Sequence, residues 1–132
     1  MKKSLFILVF NTFVYQIYGQ ATEWQYITTD DANREYYFKH NSHDTAWTKE
    51  ISETIIYFTG DKLQDKKVVD GYQINLYQFD CSDKKIGIAQ VNTYSKSGEV
   101  LKTTKIKDYL VEMNYVLPDS VGEIFLRSFC SK

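Results

Sequence analysis

The sequence predicts an α+β protein: a single antiparallel β-sheet domain with one short C-terminal helix packed on the sheet and one disulfide. Three observations carry this expectation. Aromatic residues make up 16% of the 132 residues, with 11 Tyr and one Pro, and Tyr and Phe suit a pleated, half-buried surface. Short runs of alternating apolar and polar residues are separated by polar turns. Near the C-terminus, Ser120-Val121-Gly122-Glu123 has the spacing of a capping box ahead of an apolar helical stripe.

The chain opens with Lys2 and Lys3 before the apolar run Leu5 to Phe10, and small residues follow at Gly19 and Ala21. This is signal-peptide grammar, with cleavage expected after Ala21 or, second, after Gly19. The apolar stretch is short for a bilayer span, and no Cys precedes Cys81, so no lipid anchor is expected. Residues 1–21 are therefore read as a signal peptide and residues 22–132 as one domain. Losing Lys2 and Lys3 takes the net charge from −1 to −3. That balance disfavours nucleic-acid binding, and no later apolar run predicts a transmembrane segment. The expected location is outside the cytoplasm: periplasm, cell surface or medium.

Along the chain, Glu23 to Thr29 predicts a strand ending at the turn pair Asp30-Asp31. Arg34 to Lys39 predicts a second strand, followed by a polar loop from His40 to Asp44. Two strand segments are expected between Thr45 and Thr59, punctuated by Gly60, and Gln64 to Asp70 reads as a solvated connection. From Tyr72 to Leu76 the alternation is clean, but Tyr77, Phe79 and Cys81 continue on the opposite parity. This requires either a bulge near Leu76 and Tyr77 or a strand covered on both faces. Ile86 to Tyr94 follows as a strand whose Gly87 and Ala89 leave room for a bulky neighbour, expected to be the C-terminal helix. Ser95 to Gly98 is a hairpin connection, with the return strand from Val100 to Ile106. The helix is expected to start at Val121 and to turn Leu126, Phe129 and Cys130 toward the sheet.

Cys81 and Cys130 are the two cysteines, and an even count in an exported chain reads as a disulfide. Closing a loop of about fifty residues contributes roughly 4 kcal/mol in the chain-entropy model.

Three segments in this order form a recognisable pattern: Tyr77-Gln78-Phe79-Asp80-Cys81, Tyr94-Ser95-Lys96-Ser97-Gly98, and Leu117-Pro118-Asp119-Ser120-Val121-Gly122-Glu123 with the terminal Cys130. The pattern resembles the surface-adhesin E (protein E-like) domain family of Gram-negative bacteria. The resemblance implies antiparallel strands with a helix packed on the sheet, and a role in adhesion to host extracellular-matrix proteins. The chain departs from the family pattern in three places. Asp119 stands where Gly usually follows the Pro, a change expected to matter little. The nearest aromatics ahead of the Pro are Tyr109 and Tyr115 rather than a Trp, and the lipidation Cys of anchored members is missing.

Chemistry-bearing groups are sparse. His40, His43 and Asp44 offer two imidazoles and a carboxylate, but a polar turn explains all three, and no metal or other cofactor is predicted. No Ser stands in a strained nucleophile elbow, so no catalytic residue is assigned and no enzyme is expected. Lys84, Lys85, Lys96, Lys102, Lys105 and Lys107 make a net-basic stretch in an acidic chain. They are the candidate binding residues, suited to an acidic partner such as a matrix protein or glycosaminoglycan. Lysines also keep sheet edges from pairing. Tyr36, Tyr37 and Tyr94 are candidate exposed anchors. The main expectation is an exported adhesin-like binding protein, with a periplasmic inhibitor or envelope accessory protein of the lysozyme-inhibitor type as the alternative. An uncovered sheet edge would favour a homodimer.

Overall fold

A computed structural model describes residues 23–131; the expected signal peptide lies outside the described residues. The strands are β1 (Gln25–Thr29), β2 (Glu35–His40), β3 (Thr45–Thr59), β4 (Asp65–Asp80), β5 (Lys85–Ser95), β6 (Val100–Lys105) and β7 (Asn114–Tyr115), followed by helix α1 (Val121–Cys130). Every pairing is antiparallel, in the order β1-β2-β3-β4-β5-β6. β7 adds to the free end of β5 through Lys85↔Tyr115 and Ile86↔Asn114.

Two strands are longer than the sequence implied. β3 is continuous, with a register shift between Ser52 and Ile55 where two segments were expected, and β4 begins at Asp65, inside the supposed connection. Residues 65–69 pair with residues 55–59 at the end of a hairpin where most side chains face solvent. With little burial there is no alternation to read. The hairpin bends over the sheet, so that Gln73 Nε2 reaches Ile56 O at 3.2 Å and Lys102 Nζ reaches Phe58 O at 2.5 Å.

Of the two anticipated causes, coverage of β4 on both faces explains its parity switch, and the bulge lies at the expected level but on the neighbouring strand. Register shifts between Leu76↔Gln90 and Tyr77↔Ile88, leaving Ala89 as the extra residue on β5 rather than on β4. β4 itself is covered on both sides. Tyr77 and Phe79 face the helix, whereas Tyr72 stacks on Tyr94 on the other face, with ring centroids 4.7 Å apart.

The core lies between α1 and one face of the sheet. Phe125, Leu126 and Phe129 pack on Tyr36, Phe38, Ala46 and Phe79. The Phe79 and Phe129 rings stack at 4.3 Å, and Phe38 meets Phe129 edge-on at 6.4 Å. The Cys81–Cys130 disulfide, Cα atoms 5.7 Å apart, ties the helix end to the turn after β4. At the helix start, Ser120 Oγ accepts from Glu123 N at 3.2 Å. Only this half of the capping box forms, since the Glu123 carboxylate takes Arg127 Nη2 at 2.7 Å instead. Asp119 has φ +61°, the left-handed region where Gly is the low-cost residue. The departure from Gly at this position is therefore not neutral.

Glycines set two approaches differently from expectation. A Cβ at Gly87 would stand 2.7 Å from Met113 Sδ and 2.8 Å from Glu112 O, so the neighbour admitted there is the segment before β7, not the helix. The helix comes close at Gly122, where a Cβ would meet Ile86 Cδ1 at 3.1 Å.

The strongest electrostatic perturbations are structural. Tyr36 donates to Asp30 Oδ2 at 3.1 Å, Arg34 Nε bonds the same oxygen at 2.7 Å, and Arg34 Nη1 lies 3.8 Å from Glu50 Oε1. Burial pushes the Tyr36 hydroxyl far above its ordinary value, with the Glu50 charge adding to it. Burial also raises Glu50, against the pull of Arg34.

Candidate functional site: an apolar ledge beside the edge of the sheet

Between β6 and α1 the chain runs along the open end of β5. It is pinned by Ile106 N to Ala89 O (2.9 Å), by the β7 pairing, and by Val116 N to Lys84 O (3.2 Å). A 3₁₀ turn at Asp108–Leu110 lifts it from the sheet, closed by Leu110 N to Lys107 O at 2.7 Å. The result is a held backbone with bulky side chains outward: Tyr109 is 78% exposed, Leu110 61%, Tyr115 70% and Leu117 72%. Leu110, Tyr115 and Leu117 border a hollow of about 510 Å³ whose other walls include Tyr77, Ile86 and Val116. Scattered exposed apolar residues are ordinary, but several on one short segment mark a contact surface.

Three of the six candidate lysines belong to this ledge. Lys85 Nζ lies 4.6 Å from the Tyr115 ring centroid and Lys107 Nζ 5.9 Å from that of Tyr109, while Lys84 is exposed in the preceding turn. Lys105, exposed at the end of β6 two residues before Lys107, stands beside them, and the other two are elsewhere. Lys96 sits in the hairpin at the far end of β5, about 35 Å from Lys85 at the usual strand rise, with its Nζ 3.8 Å from Asp70 Oδ2. Lys102 is engaged by Phe58 O. The structure thus does not gather the six into one patch.

The tyrosine anchors divide too. Tyr36 is buried in the core, while Tyr37 and Tyr94 are half-buried on the helix-free face. His40 stacks on Phe129 at 5.1 Å, and His43 Nε2 lies 3.9 Å from Asp44 Oδ2. Among the described residues no group of three metal-ligating side chains converges. Leu110 and Leu117 were not anticipated as surface residues. The available signal was a cluster of apolar residues between Lys105 and Pro118 that fits neither strand nor helix periodicity.

A disulfide-tied sheet that holds bulky apolar side chains and lysines outward on a fixed backbone is built as a binding protein. Compared with known families, residues 24–131 match the family described as Surface-adhesin protein E, and the chain belongs to it. The protein is accordingly adhesin-like, of a non-enzymatic, surface-exposed kind. No curated protein and no solved structure matches the chain. Among the described residues no helix is long and apolar enough to cross a membrane.

Proposed function

We propose that the protein is exported, with residues 1–21 removed, and that the domain of residues 22–132 acts as an adhesin, binding a host extracellular-matrix protein through the ledge of residues 106–117. The carrying observation is the concentration of exposed Tyr109, Leu110, Tyr115 and Leu117 on one pinned segment. Tyr and Leu anchors with lysines at their border favour a protein partner. Lys84, Lys85 and Lys107 add attraction for acidic partner segments and speed encounter. The distance of Lys96 and the engagement of Lys102 by Phe58 O weaken the case for a polyanion such as a glycosaminoglycan, which needs a continuous positive strip.

The test is binding of the mature protein to immobilised matrix proteins. Tyr109→Ser with Leu110→Ser is expected to weaken binding by about thirtyfold or more. Charge reversal at Lys84, Lys85 and Lys107 should lower the on-rate and flatten its salt dependence. Reversal at Lys62, Lys66 and Lys67, on the distant hairpin, is the control. Binding untouched by the ledge variants would overturn the assignment. Absence of binding, together with protection from protease on intact cells, would favour a periplasmic inhibitor or accessory role.

A further inference from the structure

Across the sheet from the helix lies a second surface, formed by the alternate residues of the same strands. A depression of about 310 Å³ there is lined by Trp24, Lys39, Trp47, Gln90, Asn92 and Tyr94. We propose that this depression binds a single acidic saccharide unit, a sugar ring bearing a carboxylate. The site is separate from the ledge, and its failure would leave the ledge reading untouched.

The rings are held rather than loose. The Trp47 indole N–H donates to Asn41 Oδ1 at 3.1 Å, and Tyr94 is backed by Tyr72, stacked at 4.7 Å and 11°. The weakly positive C–H face of a sugar complements the negative face of such rings. The amides are ordered as well. Asn92 Nδ2 donates to Ile74 O and its Oδ1 accepts from Gln90 Nε2, both at 2.9 Å. This leaves Gln90 with a carbonyl oxygen and a second N–H for hydroxyl groups.

Charge selects the acidic sugar. Lys39, the cation in the lining, has its Nζ 5.9 Å from the Trp24 ring centroid and is not paired with a carboxylate among the described residues, while Lys49 Nζ stands outside the depression, over the Tyr72 ring at 4.8 Å. A ligand carboxylate would supply the missing partner. An apolar peptide would bury Gln90 and Lys39 without satisfying them. A two-fold pairing of this face with a second copy would bring Lys39 and Lys49 toward their own counterparts.

The probes are 3′-sialyllactose, lactose as its neutral counterpart, and an acidic peptide, titrated into the mature protein with tryptophan fluorescence and saturation-transfer NMR as readouts. Sialyllactose should bind saturably with Kd on the order of 1 mM, and lactose at least about tenfold more weakly. Trp47→Ala should weaken sialyllactose binding about tenfold or more. Lys39→Met, which keeps the half-buried aliphatic stem and removes the charge, should remove the preference over lactose while leaving the thermal transition in place, which keeps the test decisive if the Trp47 variant does not fold. Reversal at Lys84, Lys85 and Lys107 should change nothing. Equal binding of lactose, preferential binding of the acidic peptide, concentration-dependent dimerisation through this face, or no saturable binding of sialyllactose would each overturn the proposal.

Discussion

The two faces of this sheet are made of similar residues with different fates. On one, Tyr36, Phe38, Tyr77 and Phe79 meet Phe125 and Phe129 and lose most of their contact with water. On the other, Trp24, Trp47, Tyr72 and Tyr94 keep theirs in part and are accompanied by Lys39, Lys49, Gln90 and Asn92. Aromatic content alone does not separate core from binding surface. The company does: the covered face pairs rings with rings, whereas the open face pairs rings with ammonium and amide groups that retain capacity for a ligand.

The sharpest way to break this comparison is to truncate one ring on each face. Phe129→Ala should cost about 3–5 kcal/mol, since it empties a buried site between Phe38 and Phe79. Tyr94→Ala should cost less than about 1.5 kcal/mol, because its ring is already half in water. Chemical denaturation of both variants measures the difference, and equal losses would mean that the open face is a second core.

Next in size is Cys130→Ser. Freeing a loop of about fifty residues should cost about 2–4 kcal/mol, while far-UV circular dichroism stays close to that of the parent. Protease cleavage that begins within residues 121–131 would place the damage on the covered face. Cleavage that begins in β1 or β2 would show that the helix is held mainly by packing.

The smallest effect is a gain. Asp119→Gly relieves a φ of +61° at the entry to the helix and should stabilise the fold by about 0.5–1 kcal/mol. A higher midpoint with an unchanged denaturant slope is the expected signature. A loss would mean that the Asp119 side chain stabilises the helix start by more than its backbone strain costs.

Much of the covered face and of the turns was legible in advance. Ser120 as the cap, Phe129 and Cys130 turned inward, the Gly98 turn at φ +91° and the pairing of Cys81 with Cys130 all follow from short-range spacing or from there being one possible partner. The ledge and the lysines were less legible. Lys84, Lys85, Lys96, Lys102, Lys105 and Lys107 are near one another in the chain, yet β5 extends between the first pair and Lys96, and Lys102 is drawn to a carbonyl of the β3–β4 hairpin.

The sequence by itself determined the antiparallel sheet, the Ser95–Gly98 hairpin, the helix start and the disulfide, because alternation, positive-φ glycine and capping geometry act within a few residues. Alternation puts aromatic residues on both faces of β4 and is silent on which set is to be buried. Tertiary structure decided that. The helix, returning after Pro118, approaches through Gly122 against Ile86 and is closed onto Phe79 by the link to Cys81. The same return path packs Val111 and Met113 against Gly87 and leaves Tyr109, Leu110, Tyr115 and Leu117 in solvent, a placement set by contacts between residues far apart in the chain and written in no local period.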